Sequence, residues 1–346
     1  MAEKAAATGA ARPQPPAEGI SEPNPAPTGV PTGAASAEAP AETQSTGAPA
    51  ETSSGGAAAE HRSAGAPTEG GGRRSRAGRN LPAALAVGLT LGISLIAILL
   101  FVPKVFIGVA GVAVGIATWE VAKRLREADV LVPRIPLIVG GQAVFWLGWP
   151  FGAGGVAGSF AATALACMVW RLFDHGLRTA PRNFLRDTAI AVFTLAWIPL
   201  LASFAVLLLL EDPDGNLRVL TFMILVVCSD VGGYVAGVLF GRHPMVPSIS
   251  PKKSWEGFGG SLVFAIIGGL LTVTLLLEAN SMIGVVLGVG LVVIATLGDL
   301  IESQIKRELG IKDMGTMLPG HGGIMDRLDS MLPSAFVSWL VLSTLI

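Results

Sequence analysis

Residues 282–307 read MIGVVLGVGLVVIATLGDLIESQIKR, a long apolar run followed by a polar end. It carries no charged side chain from Met282 to Gly298, and an α-helix needs about 20 apolar residues to cross a bilayer. Asp299 then begins a polar end that runs to Lys306 and Arg307. The stretch therefore predicts a membrane-spanning helix that ends in polar turns.

Similar apolar runs follow one another from Leu81 onward. They lie near 81–102, 105–122, 135–150, 154–172, 188–210, 218–240, 258–278, 282–305 and 331–346. Only 14% of the 346 residues are charged, against about 25% in an ordinary soluble domain, which excludes a soluble globular enzyme. Two cysteines are too few for a disulfide scaffold. The sequence predicts an all-α, polytopic integral membrane protein with about nine transmembrane helices.

Residues 1–80 have a different composition, rich in Ala, Pro, Gly, Glu, Ser and Thr, with no Leu, Phe, Trp or Tyr. Such a segment cannot bury enough apolar area to offset the entropy of the chain, so we expect a disordered tail. The predicted domains are this tail and a transmembrane domain over 81–346, whose catalytic half spans about 218–346.

The positive charges indicate the orientation of the spans. With nine spans, 19 of the 24 Lys and Arg residues fall on the side of the tail and close to the membrane. Lys104 and Arg218 fall on the opposite side. Cytoplasmic connections carry the excess of positive charge, so we expect a cytoplasmic N-terminus and an external C-terminus in the cell membrane.

Polar residues are organised in three segments on the cytoplasmic side. The first is one face of the helix that ends near Arg307, with polar side chains at i, i+3, i+4 and i+7: Asp299, Glu302, Ser303 and Lys306. Such a stripe at the end of an apolar span is expected to line a cavity. The second segment begins with Asp230, which lies inside a predicted span, where a carboxylate costs free energy. It continues with the loop Ser250-Pro-Lys252-Lys253-Ser254-Trp-Glu256-Gly257.

The third segment contains Lys312-Asp313, the turn Pro319-Gly-His321-Gly322-Gly323, and Asp326-Arg327-Leu-Asp329. Glycines around a histidine allow the backbone to approach a phosphate closely. Carboxylates without Cys or several His favour Mg²⁺ over zinc, and nearby Lys and Arg suit phosphates. The residues therefore favour a metal-dependent enzyme that acts on phosphates at the membrane surface. Glu120, at the end of the second span, is expected to pair with Lys123 or Arg124.

The stretch from Ser303-Gln-Ile-Lys306-Arg307 through Lys312-Asp313 to Pro319-Gly-His321-Gly-Gly-Ile-Met-Asp326-Arg327-Leu-Asp329 resembles the signature of the phosphatidate cytidylyltransferase (CDP-diglyceride synthase) family. The segment from Asp230 to Gly241 and the 250–257 loop resemble the same family. The sequence departs from the family pattern at two places. Arg242-His243 stands where a Lys is expected, and Ser254 stands where Thr is common. The tail resembles the extension of actinobacterial members.

The resemblance implies transfer of CMP from CTP to phosphatidic acid, giving CDP-diacylglycerol and pyrophosphate with Mg²⁺. It implies metal binding by Asp299 and Asp326, with Glu302 and Asp329 holding the metal's waters or orienting the cations. The sequence leaves open a second metal and whether a monovalent ion accompanies Mg²⁺. The catalytic candidates are Lys252, Lys253, Lys306, Arg307, Arg327 and His321. The substrate-binding candidates are Asp230, Ser250, Ser254, Glu256, Ser303, Lys312, Gly322 and Gly323. The expected partners are CTP, phosphatidic acid, the bilayer and a second copy in a homodimer, with no nucleic acid.

Two other classes stay open at the level of sequence. A CDP-alcohol phosphotransferase would also be a Mg²⁺-dependent membrane enzyme with clustered aspartates, but its spaced motif is absent. A transporter would use Asp230 as an intramembrane ion site, and it predicts inverted repeats, yet no duplicate of 298–330 occurs in the first half.

Overall fold

The computed structural model describes residues 81–174, 176, 179–317 and 322–346, and residues 81–89 and 91 by their backbone alone. The predicted tail of residues 1–80 and the candidate His321 lie outside the described residues. The first half consists of α1 (Leu81–Phe101), α2 (Pro103–Glu127), α3 (Arg134–Trp146), α4 (Gly148–Phe173), α5 (Phe184–Leu195), a π-helical turn (Ala196–Leu200) and α6 (Leu201–Leu209). The second half consists of α7 (Gly215–Phe240), β1 (Pro244–Val246), β2 (Ser250–Ser254), α8 (Trp255–Leu275), α9 (Ser281–Glu308), α10 (Met325–Leu328) and α11 (Met331–Leu345).

The apolar runs coincide with helices in every case, which confirms the all-α membrane fold. In the part of the chain that the structure describes, seven helices are long and apolar enough to cross a membrane. The remaining two runs correspond to α1 and to the shorter α3. Large apolar side chains remain exposed on the helices, including Val112, Leu165 and Val238, as expected for surfaces that contact lipid.

Two irregularities in the helices have local causes. Pro199 has no backbone N–H, and the wider π-helical turn around it joins α5 and α6 into one span, Phe184–Leu209. At Gly152 the backbone adopts φ +56°, a conformation that side chains with a Cβ rarely take, and α4 is kinked there. This kink falls between the predicted runs 135–150 and 154–172.

Close helix packing in the second half depends on glycine. Gly232 of α7 faces Gly260 of α8 so closely that a Cβ on Gly232 would lie 2.5 Å from the Gly260 carbonyl oxygen. Gly269 of α8 and Gly284 of α9 likewise leave no room for a Cβ on either. Small residues of this kind let helix backbones approach in a membrane. They bring the ends of α7 and α9 and the start of α8 together.

A short β-hairpin follows α7 and leads into α8. β1 and β2 are antiparallel, with Pro244 opposite Ser254 and Val246 opposite Ser250. Ser254 then acts as the N-cap of α8, because its Oγ accepts a hydrogen bond from the Gly257 N–H at 3.1 Å. The hairpin holds the two adjacent lysines, 252 and 253, at the end of the helices.

Candidate active site

A cavity of about 490 Å³ lies where the last turns of α7, the hairpin, the start of α8, the end of α9, Asp313 and residues 326–330 meet. Its lining contains five aspartates and four cationic side chains: Asp230, Asp299, Asp313, Asp326, Asp329, Lys252, Lys253, Lys306 and Arg327. Such a mixed set of charges at the end of apolar helices suits a ligand with several phosphates and a cation. All three polar segments of the sequence contribute to this one cavity.

Part of the polar face of α9 forms one wall of the cavity, whereas Glu302 and Ser303, which the spacing also predicts there, lie outside the lining. Asp299 and Lys306 face the cavity, and Ser303 donates a hydrogen bond from its Oγ to Asp299 Oδ1 at 3.3 Å. Gly298 allows this wall to meet the next segment, because a Cβ there would lie 2.5 Å from the Asp329 carbonyl oxygen. The close approach places Asp329 in the same cavity as Asp299.

Lys306 connects two carboxylates at the base of this wall. Its Nζ lies 2.5 Å from Glu302 Oε2 and 3.1 Å from Asp326 Oδ1. Glu302 is 0% exposed, and its other carboxylate oxygen has no hydrogen-bond partner among the described residues. An ionised carboxylate in such a place requires a nearby cation, so Lys306 and Glu302 depend on each other.

Lys253 reaches the cavity from β2. Its Nζ lies 2.5 Å from Asp299 Oδ2, and both side chains are partly exposed. The N-cap at Ser254 fixes the direction of the chain at this point. Lys253 is therefore held at the carboxylate for which the family resemblance implies metal binding, and a bound cation would compete with it.

Asp326 organises the loop that precedes it. Its Oδ2 accepts hydrogen bonds from the backbone N–H groups of Gly323 at 2.7 Å and Met314 at 3.0 Å. Gly322 lies beside this carboxylate with φ +82°, a conformation that favours glycine. Asp326 thus both lines the cavity and holds the backbone at Met314 and at Gly323.

Asp230 lies on α7, and its side chain is exposed to the cavity. The neighbouring Ser229 carbonyl accepts a hydrogen bond from Ser261 Oγ at 2.7 Å, which ties α7 to α8 at this level. Asp329 also lines the cavity, and its Oδ1 accepts a hydrogen bond from the Ser330 N–H at 2.7 Å.

Several candidates from the sequence lie beside the cavity instead of in its lining. Glu256 accepts hydrogen bonds from the backbone N–H groups of Arg242 and His243, and so it stabilises the turn after α7. Arg307 donates to the Ile249 carbonyl and holds the hairpin. The others outside the described lining are Ser250, Glu302, Ser303, Lys312, Gly322 and Gly323.

Two residues of α2 support the site in a way that the sequence does not predict. Glu120 does not pair with Lys123 or Arg124, because it is 2% exposed and its Oε2 accepts a hydrogen bond from the Met325 N–H at 3.0 Å. A Cβ on Gly323 would lie 2.5 Å from Glu120 Oε2, which explains a glycine there. Arg124 Nε donates to the Met314 carbonyl at 2.9 Å. The only signal for this role in the sequence is an acidic residue inside an apolar run.

The carboxylates of the cavity fit Mg²⁺ by donor chemistry. Among the described residues, no three His, Cys, Asp or Glu side chains are arranged as a preformed metal cage. Mg²⁺ commonly binds through one or two carboxylates together with substrate phosphates and waters, which is what this lining offers.

The comparisons with known proteins identify the family of the chain. A model described as the cytidylyltransferase family matches residues 83–345. A Mycobacterium bovis phosphatidate cytidylyltransferase is 53% identical over 279 residues, which cover 78% of this chain and 91% of that protein. The Mycobacterium leprae protein of the same name is 52% identical over 281 residues, covering 78% of this chain and 90% of its own length.

A phosphatidate cytidylyltransferase of Staphylococcus saprophyticus is 32% identical over 201 residues, covering 57% of this chain and 75% of its own length. The similarity therefore extends beyond the mycobacterial proteins. The chain belongs to the cytidylyltransferase family, and it is a nucleotidyltransferase of the phosphatidate cytidylyltransferase type.

Proposed function

We propose that the chain transfers CMP from CTP to phosphatidic acid in the 490 Å³ cavity, giving CDP-diacylglycerol and pyrophosphate. The observation that carries the proposal is the position of five aspartates and four cationic side chains at the end of apolar helices. A phosphorylated lipid can place its phosphate in such a cavity while its acyl chains stay in the bilayer. The names of the relatives support CTP and phosphatidate as the two substrates.

The reaction is an in-line substitution at phosphorus. An oxygen of the phosphatidate phosphate forms a bond to the α-phosphorus of CTP, and the bond from that phosphorus to the bridging oxygen of the β-phosphate breaks. Pyrophosphate leaves with the electron pair of that bond. A phosphate monoester has a second pKa near 6, so the attacking oxygen is already ionised at neutral pH. No general base is needed.

The protein's contribution is then positioning and neutralisation of negative charge. Lys253 and Lys306 are held at the wall by Asp299 and Asp326, so their ammonium groups are already oriented when phosphates enter. Lys252 and Arg327 add positive charge to the same lining.

A bound Mg²⁺ would supply positive charge against the negative charge that develops on the phosphates in the transition state. Asp299 and Asp326 would hold it in this proposal, with Asp329 beside them in the same lining. Glu302 would act mainly through Lys306, because Glu302 is fully buried and lies against the Lys306 ammonium group. The positive-inside pattern supports a cytoplasmic position for the cavity, where CTP is found.

Membership of the cytidylyltransferase family argues against the two alternatives, a CDP-alcohol phosphotransferase and a transporter. A CDP-alcohol phosphotransferase would consume a CDP-lipid and release CMP, and a transporter would release no pyrophosphate. The test is therefore pyrophosphate release by protein in detergent with CTP, phosphatidic acid and Mg²⁺, each omitted in turn. We expect release only when all three are present.

Asp299→Asn should lower this rate by about 100-fold or more, because it removes a charged group from the transition-state environment. Glu308→Gln is the matched control, since Glu308 is an exposed carboxylate on the same helix outside the cavity lining. Release without the lipid, or equal rates in Asp299→Asn and Glu308→Gln, would contradict the proposal.

A further inference from the structure

A second polar cavity, of about 250 Å³, lies at the last turn of α2, the start of α3 and the last turn of α4. The residues that matter for its chemistry are Arg126, Arg134, Arg171, Asp174, Trp170 and Ile135. None of its described lining residues also lines the active-site cavity. Its volume is several times the roughly 30 Å³ that one water molecule occupies in the liquid, so it has room for a larger polar group.

Arg171 is the most deeply buried cation of this cavity, at 1% exposure. Its Nη2 donates to Asp187 Oδ2 at 2.9 Å and to the Arg182 carbonyl at 2.7 Å. Its Nη1 has no hydrogen-bond partner among the described residues, because Asp174 Oδ2 is 3.6 Å away, beyond hydrogen-bonding distance. A buried guanidinium in the lining of this cavity therefore keeps one N–H group without a hydrogen bond.

Arg134 provides a second unsatisfied donor. Its Nε is buried and also has no hydrogen-bond partner within the described part of the chain. Buried N–H groups are nearly always paired in proteins, so two unpaired guanidinium donors in one cavity indicate an acceptor that binds there. An anion with several oxygens would satisfy both donors.

The charge around the cavity also favours an anion. Three arginines line it, against the single carboxylate of Asp174. Asp187, which lies behind Arg171, is shared with a further cation, because Arg186 Nη2 donates to Asp187 Oδ1 at 2.9 Å. Positive charge is thus left in excess, and guanidinium groups match the geometry of phosphate oxygens.

The residues next to the cavity are of the kinds that contact lipids near a headgroup. Ile135 and Val139, one turn apart on α3, are 63% and 64% exposed and continue from the cavity along the apolar helix. Trp170 is also partly exposed at its edge, and tryptophan is enriched at membrane interfaces. An acyl chain could follow the apolar face of α3 while the headgroup occupies the cavity.

We propose that this cavity binds the phosphate group of an anionic phospholipid that is not a substrate. Arg126, Arg134 and Arg171 contact the phosphate, and the acyl chains lie against Ile135 and Val139. Basic pockets between transmembrane helices bind headgroups in this manner. Bound lipid would link α2, α3 and α4 at the end of α2, the helix that also supports the active-site loop through Glu120.

The test is native mass spectrometry of the full chain in detergent, titrated separately with phosphatidylglycerol, phosphatidylcholine and inorganic phosphate. We expect phosphatidylglycerol to bind at least about 10-fold more tightly than phosphatidylcholine. The double variant Arg126→Gln/Arg134→Gln should lose this preference, whereas the control Arg182→Gln, an exposed arginine outside the cavity lining, should keep it. Retained pyrophosphate release in the double variant shows that it is folded.

A second measurement locates the lipid. Phosphatidylglycerol with brominated acyl chains should quench tryptophan emission in the wild type, and Trp170→Phe should remove a distinct part of that quenching. Equal binding of the two lipids, or equal phosphatidylglycerol affinity in the double variant and the control, would overturn the proposal. Occupancy by inorganic phosphate with no preference for lipid would assign the cavity to a soluble anion and would also overturn it.

Discussion

At the scale of single residues, the contact of Lys306 with Glu302 and Asp326 contributes to the stability of the protein. The same contact places a positive charge in the candidate active site. Lys306→Gln leaves Glu302 buried without a cation, and removal of one partner of a buried pair costs about 3 kcal/mol in the free energy of unfolding. The double variant Lys306→Gln/Glu302→Gln removes both charges and should recover at least half of that loss. Thermal unfolding in detergent measures the difference.

The same two variants separate stability from catalysis. Both should release pyrophosphate about 100-fold more slowly, because both lack an ammonium group in the cavity. If the double variant is as unstable as the single one, the dependence of Glu302 on Lys306 is wrong. If it regains activity together with stability, Lys306 has only a structural role.

Glu120 is a positioning residue, since it acts on the site through the backbone of Met325. Glu120→Ala removes that acceptor, and the resulting displacement of the loop should lower turnover by about 100-fold. Glu120→Gln keeps an acceptor of the same size and should retain most of the activity. Lys123→Ala, an exposed change on the same helix, is the control. Equal activity in Glu120→Ala and Lys123→Ala would contradict this role.

At the scale of elements, the contact between α7 and α8 determines where Asp230 and Lys253 lie. Gly259 and Gly260 are adjacent, but a Cβ on Gly260 would lie 2.5 Å from the Gly232 carbonyl oxygen, whereas a Cβ on Gly259 meets no described atom within 4 Å. Gly260→Ala should therefore destabilise the protein by about 2 kcal/mol. Gly259→Ala should leave the unfolding temperature nearly unchanged. Similar unfolding temperatures for the two variants would show that the helices do not pack in this way.

The helices and the polar face of α9 could be predicted from the sequence because their signals are local. Apolar runs of the length of a bilayer and a spacing of three and four residues need no tertiary information. Before α8 the sequence predicts only a loop, where the structure has a hairpin, because two short strands carry little pattern. The role of Glu120 could not be found, because Glu120 and Met325 are 205 residues apart in the sequence. The contacts of Glu256 and Arg307 could not be predicted from the sequence either. Their partners are backbone groups that only the folded chain brings close to these side chains.

At the scale of the whole molecule, the number of crossings determines on which sides the two ends lie. Nine spans, or the seven longest helices alone, are both odd numbers, so both place the ends of the membrane domain on opposite sides. We expect a reporter fused after Ile346 to be active outside the cell and one fused at Met1 to be active inside. Reporters that are active on the same side would require an even number of crossings and a different position for the active-site cavity.

The central claim is that the α-phosphate of CTP becomes part of a lipid in this cavity. It is tested most directly with CTP labelled at either the α- or the γ-phosphate, incubated with the protein, phosphatidic acid and Mg²⁺, followed by extraction into organic solvent. We predict that the α-label enters the lipid phase and the γ-label appears in pyrophosphate, both at rates that fall together in Asp299→Asn. A γ-label in the lipid, or an α-label that stays in water while pyrophosphate forms, would contradict the account.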